Sequence, residues 1–220
     1  MSDTYHHRNL REAILRRALE VIEQRGPHAL SLRSLAADVQ VSHTAPRHHF
    51  GDLRGILTAI AIEGFGLLGE HLAATTRAGG SFLDVGVAYV EFALEHRAHF
   101  AVMFSPGLLD DENPGLHEAK QGTFAMLTGG VAALAEQGQT EDPAAAMIAA
   151  WGLMHGISTL ALDGNLEQSR LRELAGDDVL DITRRAAGML FGPPRTRPDA
   201  AAQPDEPREP DGPDDAGGAS

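Results

Sequence analysis

SLRSLAADVQVSHTAPRHHF, residues 31–50, is the stretch of sequence that decides the fold. Its first half predicts a short helix with one apolar face, because Leu32, Leu35 and Val39 recur at helical spacing. Ser31 is a suitable N-cap for that helix, since its hydroxyl can accept a hydrogen bond from an amide of the first turn. The second half predicts another short helix after a tight turn.

This second helix has the composition of a surface element. Ser42 is its N-cap candidate, and Pro46 is compatible with a first helical turn, where few amides have intrahelical partners. Hydrogen-bonding and cationic side chains occupy the outward positions from His43 to His49. Two short helices joined by a tight turn form the shape that places a recognition helix in the major groove of DNA. We therefore expect a solvent-facing, DNA-reading helix here.

Apolar stripes at helical spacing flank this helix pair on both sides. Gly26 and Pro27 end a preceding helix, and Asp52 is the N-cap candidate of a following one. The apolar positions are Leu10, Ile14, Ala18 and Ile22 before the pair, and Leu53, Ile56, Leu57 and Ile60 after it. Residues 1–60 are thus predicted to form a three-helix helix-turn-helix DNA-binding domain.

These residues resemble the DNA-binding half of the tetracycline-repressor (TetR/AcrR) family of transcriptional regulators, over about residues 10–68. The resemblance lies in Val41-Ser42, in Arg47-His48-His49-Phe50, and in the Gly-Asp-Leu-Arg stretch of residues 51–54. Two positions depart from the usual pattern. Arg47 stands where the family usually has a tyrosine that contacts phosphate, and Thr44 replaces a frequent glycine. An arginine can also contact phosphate, so the general role is retained.

We assign DNA contacts to the turn, to the second helix and, by their position near helix starts, to two arginines. The second helix and the turn supply backbone or base contacts, and the two arginines supply phosphate contacts. An ordinary solvated charge is the alternative interpretation for each arginine. The candidate DNA-binding residues are Arg33, Ser42, His43, Thr44, Arg47, His48, His49 and Arg54.

A second resemblance lies far downstream, where residues 149–157 read AAWGLMHGI. They are similar to the Trp…His-Gly signature of one C-terminal regulatory domain of the same family. Trp151 and His155 are four residues apart and share a helix face, with Gly152 and Gly156 on a neighbouring face. The resemblance implies a small-molecule effector site in this half. Its candidate lining is Phe92, Phe100, Met103, Phe104, Phe124, Trp151, Met154 and His155, all of which could instead be ordinary core.

Composition excludes several function classes. The 220-residue chain has no cysteine, so disulfides, thiolate zinc sites and thiol redox switches are excluded. The net charge of the whole chain is −13. Residues 1–60 contain eight Arg and six Asp or Glu and have a net charge of +2, so the remaining residues have a net charge of −15. A mildly basic head on an acidic body can still bind phosphates locally. We find no apolar run long enough to span a bilayer and no leader, and expect a soluble, cytoplasmic protein.

The predicted fold class is all-α. Helical stripes continue beyond residue 60, including one in which Phe124, Leu127, Val131 and Leu134 should be buried. We expect a helical-bundle ligand-binding and dimerisation domain over residues 61–191 and a disordered acidic, Pro-rich tail over 192–220. The resemblance implies a homodimer through helices at about residues 143–163 and 177–190. Gly152 and Gly156 are either a seam between subunits or a packing site inside one.

The sequence therefore predicts a TetR-type regulator, a repressor that binds a palindromic DNA operator as a homodimer and responds to an unidentified small-molecule effector. The alternative is a helical dimeric ligand- or metal-sensing protein with weak or lost DNA binding. Enzymatic activity is not expected, because the chain lacks a Gly-x-Ser-x-Gly elbow, a glycine-rich phosphate loop and metalloprotease spacing. His96 and His99, three apart, are the only histidine pair spaced to share a metal on a helix, and we expect no cofactor or metal.

Overall fold

The computed structural model describes residues 3–168 and 178–191, with side chains from residue 10 onward. Over those ranges the chain is helical, without strands, which confirms the all-α fold class. The helices are α1 (Asp3–Arg25), α2 (Leu32–Asp38), α3 (Ala45–Phe50), α4 (Leu53–Arg77), α5 (Phe82–Glu95), α6 (Arg97–Met103), α7 (Pro114–Glu136), α8 (Pro143–Leu162), α9 (Asn165–Gln168) and α10 (Val179–Phe191), with a 3₁₀ turn at Pro27–Ala29. The tail predicted for residues 192–220 lies outside the described residues.

Helices α1 to α3 and the start of α4 form the predicted helix-turn-helix unit. Its core is apolar and almost fully buried, with Ile14, Ala18 and Leu35 meeting Ile56 and Ile60 of α4. Ser31 caps α2 as predicted, because its Oγ accepts the Ser34 N–H at 3.1 Å. The ion pair of Arg17 Nε with Asp38 Oδ2, 2.9 Å long, also ties α1 to the end of α2.

The N-cap predicted at Ser42 is wrong, because α3 begins at Ala45 and has no side-chain cap. The Ser42 hydroxyl instead lies 3.1 Å from the Thr44 hydroxyl and is occupied by that contact. Residues 43 and 44 form a turn whose Ala45 N–H donates to the Ser42 carbonyl. Pro46 lies in the first turn as predicted, and it brings no amide hydrogen that a cap would satisfy.

Helix α4 runs through both halves of the protein. Asp52 caps it as predicted, since its Oδ1 accepts the Gly55 N–H at 2.9 Å. From that cap the helix continues without interruption to Arg77, so the boundary predicted after residue 60 falls inside it. Ile56 and Ile60 belong to the helix-turn-helix core, whereas Phe65 and Leu72 reach the larger bundle. The division into domains stays a prediction.

The second half is a bundle in which α4 packs against α5, α6 and α7, while α5 packs against α8 and α10. Asn113 and Asp142 cap α7 and α8, each accepting a hydrogen bond from an amide three residues on, and Pro114 and Pro143 follow them in the first turn. The burial predicted for Phe124 is wrong, because its side chain is 52% exposed on α7. Val131 and Leu134 of the same predicted stripe are buried.

Two helices, α4 and α8, have the length and apolar composition of membrane-spanning helices, contrary to the expectation from sequence. Half of the most apolar stretch of α4 is buried inside the protein, as in a core helix of a soluble protein. Only 22% of the corresponding stretch of α8 is buried. Length and composition alone are weak grounds for a membrane span, and the exposed apolar surface of α8 needs a separate explanation.

One buried hydroxyl ties α4 to the loop before α7. Thr58 is 3% exposed, and its Oγ1 accepts the Asp110 N–H at 2.9 Å. We expect Thr58→Val to lower the free energy of unfolding by about 1–3 kcal/mol, because the Asp110 amide loses its acceptor while the shape is kept. Thr128→Val is the control, since the Thr128 hydroxyl bonds only the Ala125 carbonyl of its own helix. Urea denaturation of both variants measures the difference, and equal losses would contradict this role for Thr58.

Candidate functional site

The outer face of α3 and its preceding turn is polar and accessible. Pro46 is buried and Phe50 is partly buried, so these two side chains fix α3 to the helix-turn-helix core. The Arg11 guanidinium lies over the Phe50 ring, 5.3 Å from its centroid, and adds a cation–π contact from α1. The end of α3 is closed at Gly51, whose φ of 77° is a left-handed conformation that favours glycine.

The predicted DNA-binding residues fall into one local group and two outliers. Ser42, His43, Thr44, Arg47 and His48 are exposed along the turn and α3, and His49 is partly buried. Arg33 is exposed in the first turn of α2. Arg54 is exposed too, but its Nη2 lies 3.5 Å from the Gly107 carbonyl oxygen, so it points toward the loop after α6. The assignment of DNA contacts to all eight residues stays a prediction.

The second half encloses a cavity of about 720 Å³ between α4, α5, α7, α8 and α10. This volume is in the range of small-molecule sites. Of the predicted ligand-binding residues, the cavity is lined by Met103, Phe104, Phe124, Trp151, Met154 and His155. Trp151 is 48% exposed, which makes it a wall of the cavity and not a core residue.

Phe92 and Phe100, predicted with that set, do not line the cavity. Both are buried core residues behind its wall. Phe92 lies on the side of α5 that meets α4, with its ring centroid 6.5 Å from that of His71. Phe100 stands behind Tyr89, at 5.9 Å between ring centroids. The aromatic pattern in the sequence does not separate a ring in the wall from a ring one layer deeper.

The sequence analysis missed much of the lining, which is mostly apolar. The missed residues include Phe65 and Leu72 of α4, Phe82, Leu83, Val85 and Tyr89 of α5, Leu127 of α7, and Ala187 and Phe191 of α10. Their apolar helical spacing was visible but is the same for any core residue. Tyr89 carried a better signal, because a tyrosine in an apolar stripe needs a hydrogen-bond partner when it is buried.

That partner is His155. Tyr89 Oη lies 3.0 Å from His155 Nδ1, joining α5 to α8 inside the cavity wall. Burial raises the pKa of Tyr89, and the Trp151 side chain opposes that rise. Burial also lowers the pKa of His155, so both groups are neutral near pH 7. The rings of Phe100 and Phe104 lie against the imidazole, at 5.3 and 4.7 Å between centroids, with Phe104 in an edge-on arrangement.

The direction of the proton in this pair follows from its neighbours. Tyr89 is buried, and the one hydrogen-bond partner of its hydroxyl among the described residues is His155 Nδ1. If His155 donated to Oη, the buried phenolic O–H would have no acceptor. The consistent arrangement has Tyr89 donating to Nδ1, which places the remaining imidazole proton on Nε2. Among the described residues Nε2 has no hydrogen-bond partner.

Polar side chains gather at one end of the cavity, at the start of α7. Lys120, the only lysine of the chain, has its Nζ 3.3 Å from Asp111 Oδ1. Gln121 Nε2 lies 2.8 Å from His117 Nε2. All four of these side chains line the cavity. The site thus has an apolar body, one internal hydrogen-bonding pair and a polar end in which the single cation is already paired.

His96, between α5 and α6, and His99 of α6 do not form a metal centre with their neighbours among the described residues. His96 and His99 have ring centroids 5.8 Å apart, and His99 Nε2 lies 3.4 Å from Glu63 Oε1. Burial lowers the pKa of His99, while Glu63 acts in the opposite direction. Over residues 3–168 and 178–191 there is no group of three or more His, Cys, Asp or Glu placed to hold a metal ion.

Comparison with known proteins identifies this architecture. Residues 82–186 match the family model of the tetracycline-repressor-like C-terminal domain. A solved protein of unknown function from Rhodococcus sp. RHA1 is 31% identical, with 82% of this chain and 93% of that chain covered and a TM-score of 0.67. A TetR-family bacterial regulatory protein from Rhodococcus RHA1 is 21% identical, with 82% and 94% covered and a TM-score of 0.59. No functionally curated protein has a matching sequence.

A third solved neighbour is AibR, whose structure is in complex with isovaleryl coenzyme A and operator DNA. It is 17% identical, with 84% of this chain and 99% of that chain covered and a TM-score of 0.61. The fold and the matched domain define a helix-turn-helix regulator with a ligand-binding helical domain. The chain belongs to the TetR family of transcriptional regulators, as the sequence predicted. Its placement in the Trp-His-Gly subtype stays a prediction.

The partly buried imidazole of His155 makes stability depend on pH. The lowered pKa of His155 means that its stabilising effect is present above the unfolded-state value of about 6.5 and is lost as pH falls below it. His155→Gln keeps a polar side chain but does not titrate. We expect this variant to lose less unfolding free energy between pH 7 and pH 5 than the wild type, measured by urea denaturation at fixed protein concentration. His28→Gln, at an exposed position after α1, is the control, and it should lose as much unfolding free energy between pH 7 and pH 5 as the wild type. An equally large loss for His155→Gln would show that His155 is not the source of the pH dependence.

Proposed function

We propose that this protein is a transcriptional repressor that binds a palindromic operator as a homodimer and changes its affinity for DNA when a small molecule occupies the cavity. The observation that carries the proposal is the continuity of α4. Its first turns pack beside α3, and further along the same helix Phe65 and Leu72 line the cavity. A ligand that shifts α4 therefore also shifts the recognition helix.

The DNA arm of the proposal is supported by the exposed polar face of α3. Arg47 is exposed in the middle of this helix and can reach a phosphate or a base edge. The mildly basic first 60 residues favour DNA over the acidic remainder of the chain. The operator DNA in the AibR structure shows that a protein of the same fold binds DNA. A monomer presents a single recognition helix, so two half-sites require two copies.

The effector arm is supported by the cavity and by energetic coupling. A ligand changes the DNA affinity only as far as it binds the two conformations of the protein unequally. The cavity touches α4, α5, α7, α8 and α10, so its occupancy bears on every large helix of the bundle. A small effector at this position suits a regulator and requires no catalytic group. We accordingly assign no enzymatic activity and a cytoplasmic location to the protein.

The homodimer is supported by an apolar surface on α8 and α10. Helix α8 carries no Asp, Glu, Lys or Arg, and Ile148 on it is 72% exposed. Met189 on α10 is 81% exposed, and Leu190 beside it is exposed too. A Cβ added to Gly152 or Gly156 would meet nothing within 4 Å among the described residues, which supports the interpretation of these glycines as a seam between subunits. Such a surface fits the α8 and α10 of a second copy.

The DNA contact of Arg47 has a measurable signature. We expect Arg47→Ala to weaken binding to DNA of any sequence and to flatten the dependence of log affinity on log salt by about one unit, as for one lost phosphate contact. Fluorescence anisotropy on the DNA upstream of the protein's own gene, at several salt concentrations, measures both effects. Arg77→Ala, an exposed arginine at the far end of α4, is the control and should leave both unchanged.

Two results would count against the DNA arm in different ways. An unchanged salt slope for Arg47→Ala would show that this side chain does not touch the DNA backbone. The absence of any salt-dependent binding by the wild type, to upstream or unrelated DNA, would remove the repressor function itself and leave a ligand-binding dimer.

The dimer surface can be tested with one charge. We expect Met189→Asp to convert the protein to a monomer at micromolar concentration, because the substitution places a carboxylate in an apolar interface and repeats it across the twofold axis. Leu67→Asp is the control, since Leu67 is an exposed apolar side chain on α4, outside α8 and α10. Sedimentation velocity distinguishes the two species. A wild type that stays monomeric, or a dimer that Met189→Asp leaves intact, would reject this surface as the interface.

A further inference from the structure

We propose that the cavity selects an uncharged, mainly apolar ligand with one hydrogen-bond acceptor that meets His155, and that it disfavours polyanionic ligands such as coenzyme A thioesters. This inference rests on the proposed function only in taking the ligand to be the effector. It goes beyond that function by stating the chemical class. It also separates this protein from its solved neighbour with isovaleryl coenzyme A, although the two share a fold.

The wall of the cavity is mostly apolar. Aromatic and aliphatic side chains from α4, α5, α8 and α10 form nearly all of it, and no charged side chain from those four helices lines it. Charged lining is confined to the polar end, at Asp111, His117 and Lys120. Transfer of a charged ligand group into the apolar part would cost its hydration without a compensating partner. The body of the cavity therefore favours hydrocarbon or aromatic ligand atoms.

The apolar part of the cavity contains one hydrogen-bonding pair. The buried Tyr89 hydroxyl donates to His155 Nδ1, across 3.0 Å. This bond leaves the Nε2–H of His155 as a donor with no partner among the described residues. A ligand carbonyl, ester or thioester oxygen satisfies that donor, whereas a hydrocarbon of the same size leaves it unpaired.

A polyanionic ligand would need cations that are not already paired. Among the described residues of α5, α7, α8 and α10, the lysine and arginine side chains are Lys120, Arg184 and Arg185. Lys120 is paired with Asp111, and Arg185 Nε lies 3.0 Å from Asp181. Arg184 acts electrostatically on Asp84, so each of these three cations already faces a carboxylate on the protein. The remaining cavity helix, α4, carries Arg54 and Arg77 at its two ends, and neither of them lines the cavity.

Further carboxylates surround the polar end. Asp110 and Glu112 flank Asp111 in the loop before α7, and Glu118 lies two residues before Lys120. The formal charge of residues 110–120 is therefore negative. A coenzyme A nucleotide carries several phosphate charges, which would meet this negative field at the same end as the single lysine. The same acyl group without the nucleotide meets no such repulsion.

The chain supplies its own reporter for a binding test. Trp151 is the only tryptophan, it lines the cavity, and its ring centroid lies 6.0 Å from that of His155. Intrinsic fluorescence therefore responds to a ligand in the cavity without DNA. The matched probes are the dodecanoyl thioester of N-acetylcysteamine, which is uncharged, and dodecanoyl coenzyme A. Both contain the same acyl chain and the same thioester; coenzyme A adds an uncharged pantothenoyl arm and the charged nucleotide, so the two probes differ in charge only through the nucleotide.

We expect the uncharged thioester to bind the wild-type protein at least about tenfold more tightly than dodecanoyl coenzyme A, because the like charges of the nucleotide and the protein repel. Lowering the salt concentration should weaken the coenzyme A thioester further. Tighter binding of the coenzyme A thioester, or a gain in its affinity at low salt, would overturn the proposal. Failure of both probes to bind would overturn it as well, since the cavity would then not take such a ligand.

The role of His155 is tested with the uncharged thioester. We expect His155→Phe to lose about tenfold in affinity, as for one unpaired donor at a partly buried site, and Tyr89→Phe to lose less because only the orienting hydroxyl is removed. His28→Phe is the control, at an exposed position away from the cavity. An unchanged affinity in both cavity variants would show that His155 does not bond an acceptor atom of the ligand. Thermal denaturation of each variant shows whether it is folded.

These titrations are independent of the proposed function. A protein that binds the uncharged thioester but never binds DNA would keep the inference on the ligand class and reject the repressor. A protein that binds DNA but prefers the coenzyme A thioester would keep the repressor function and reject the inference on the ligand class.

Discussion

The structure depends on the double burial of one helix. Helix α4 supplies Ile56 and Ile60 to the small core of the helix-turn-helix and Leu68 and Leu72 to the large bundle, all of them at most 5% exposed. Close-packed cores resist small displacements, so neither end of this helix can move without repacking at the other. Thr58 adds a buried hydrogen bond to the loop before α7. The two halves are mechanically joined by packing, without a flexible linker.

Local signals in the sequence determined much of the fold. Side-chain caps at Ser31, Asp52, Asn113 and Asp142 could be predicted because each depends only on atoms within three residues. The cap predicted at Ser42 is wrong for an equally local reason, because the Ser42 hydroxyl contacts the Thr44 hydroxyl and no backbone amide of α3. When a second hydroxyl lies two residues after a cap candidate, it competes with the backbone amide for the capping side chain. Sequence spacing alone does not show which of the two hydrogen bonds forms.

The cavity was predictable only in part, for a physical reason. Its wall and the layer behind it are built from the same apolar residue types, so Phe100 and Phe104 differ in position but not in pattern. The hydrogen bond of Tyr89 with His155 joins residues 66 positions apart, and no local rule connects them. Phe124 and Trp151 are half exposed because a cavity wall has neighbours on one side only. Helical periodicity reports which residues avoid water, and it does not distinguish a filled interior from a hollow one.

The lone amine at the polar end of the cavity has a chemical consequence. Lys120 is the only ε-amino group in the chain, and its one counterion among the described residues is Asp111. Acetylation or any other acylation of that nitrogen would abolish its positive charge and leave the carboxylate without its partner. The ion pair at the polar end would then be replaced by an unpaired carboxylate in a single covalent step. A protein with many surface lysines would dilute such a modification, whereas here it falls on one side-chain nitrogen that lines the cavity.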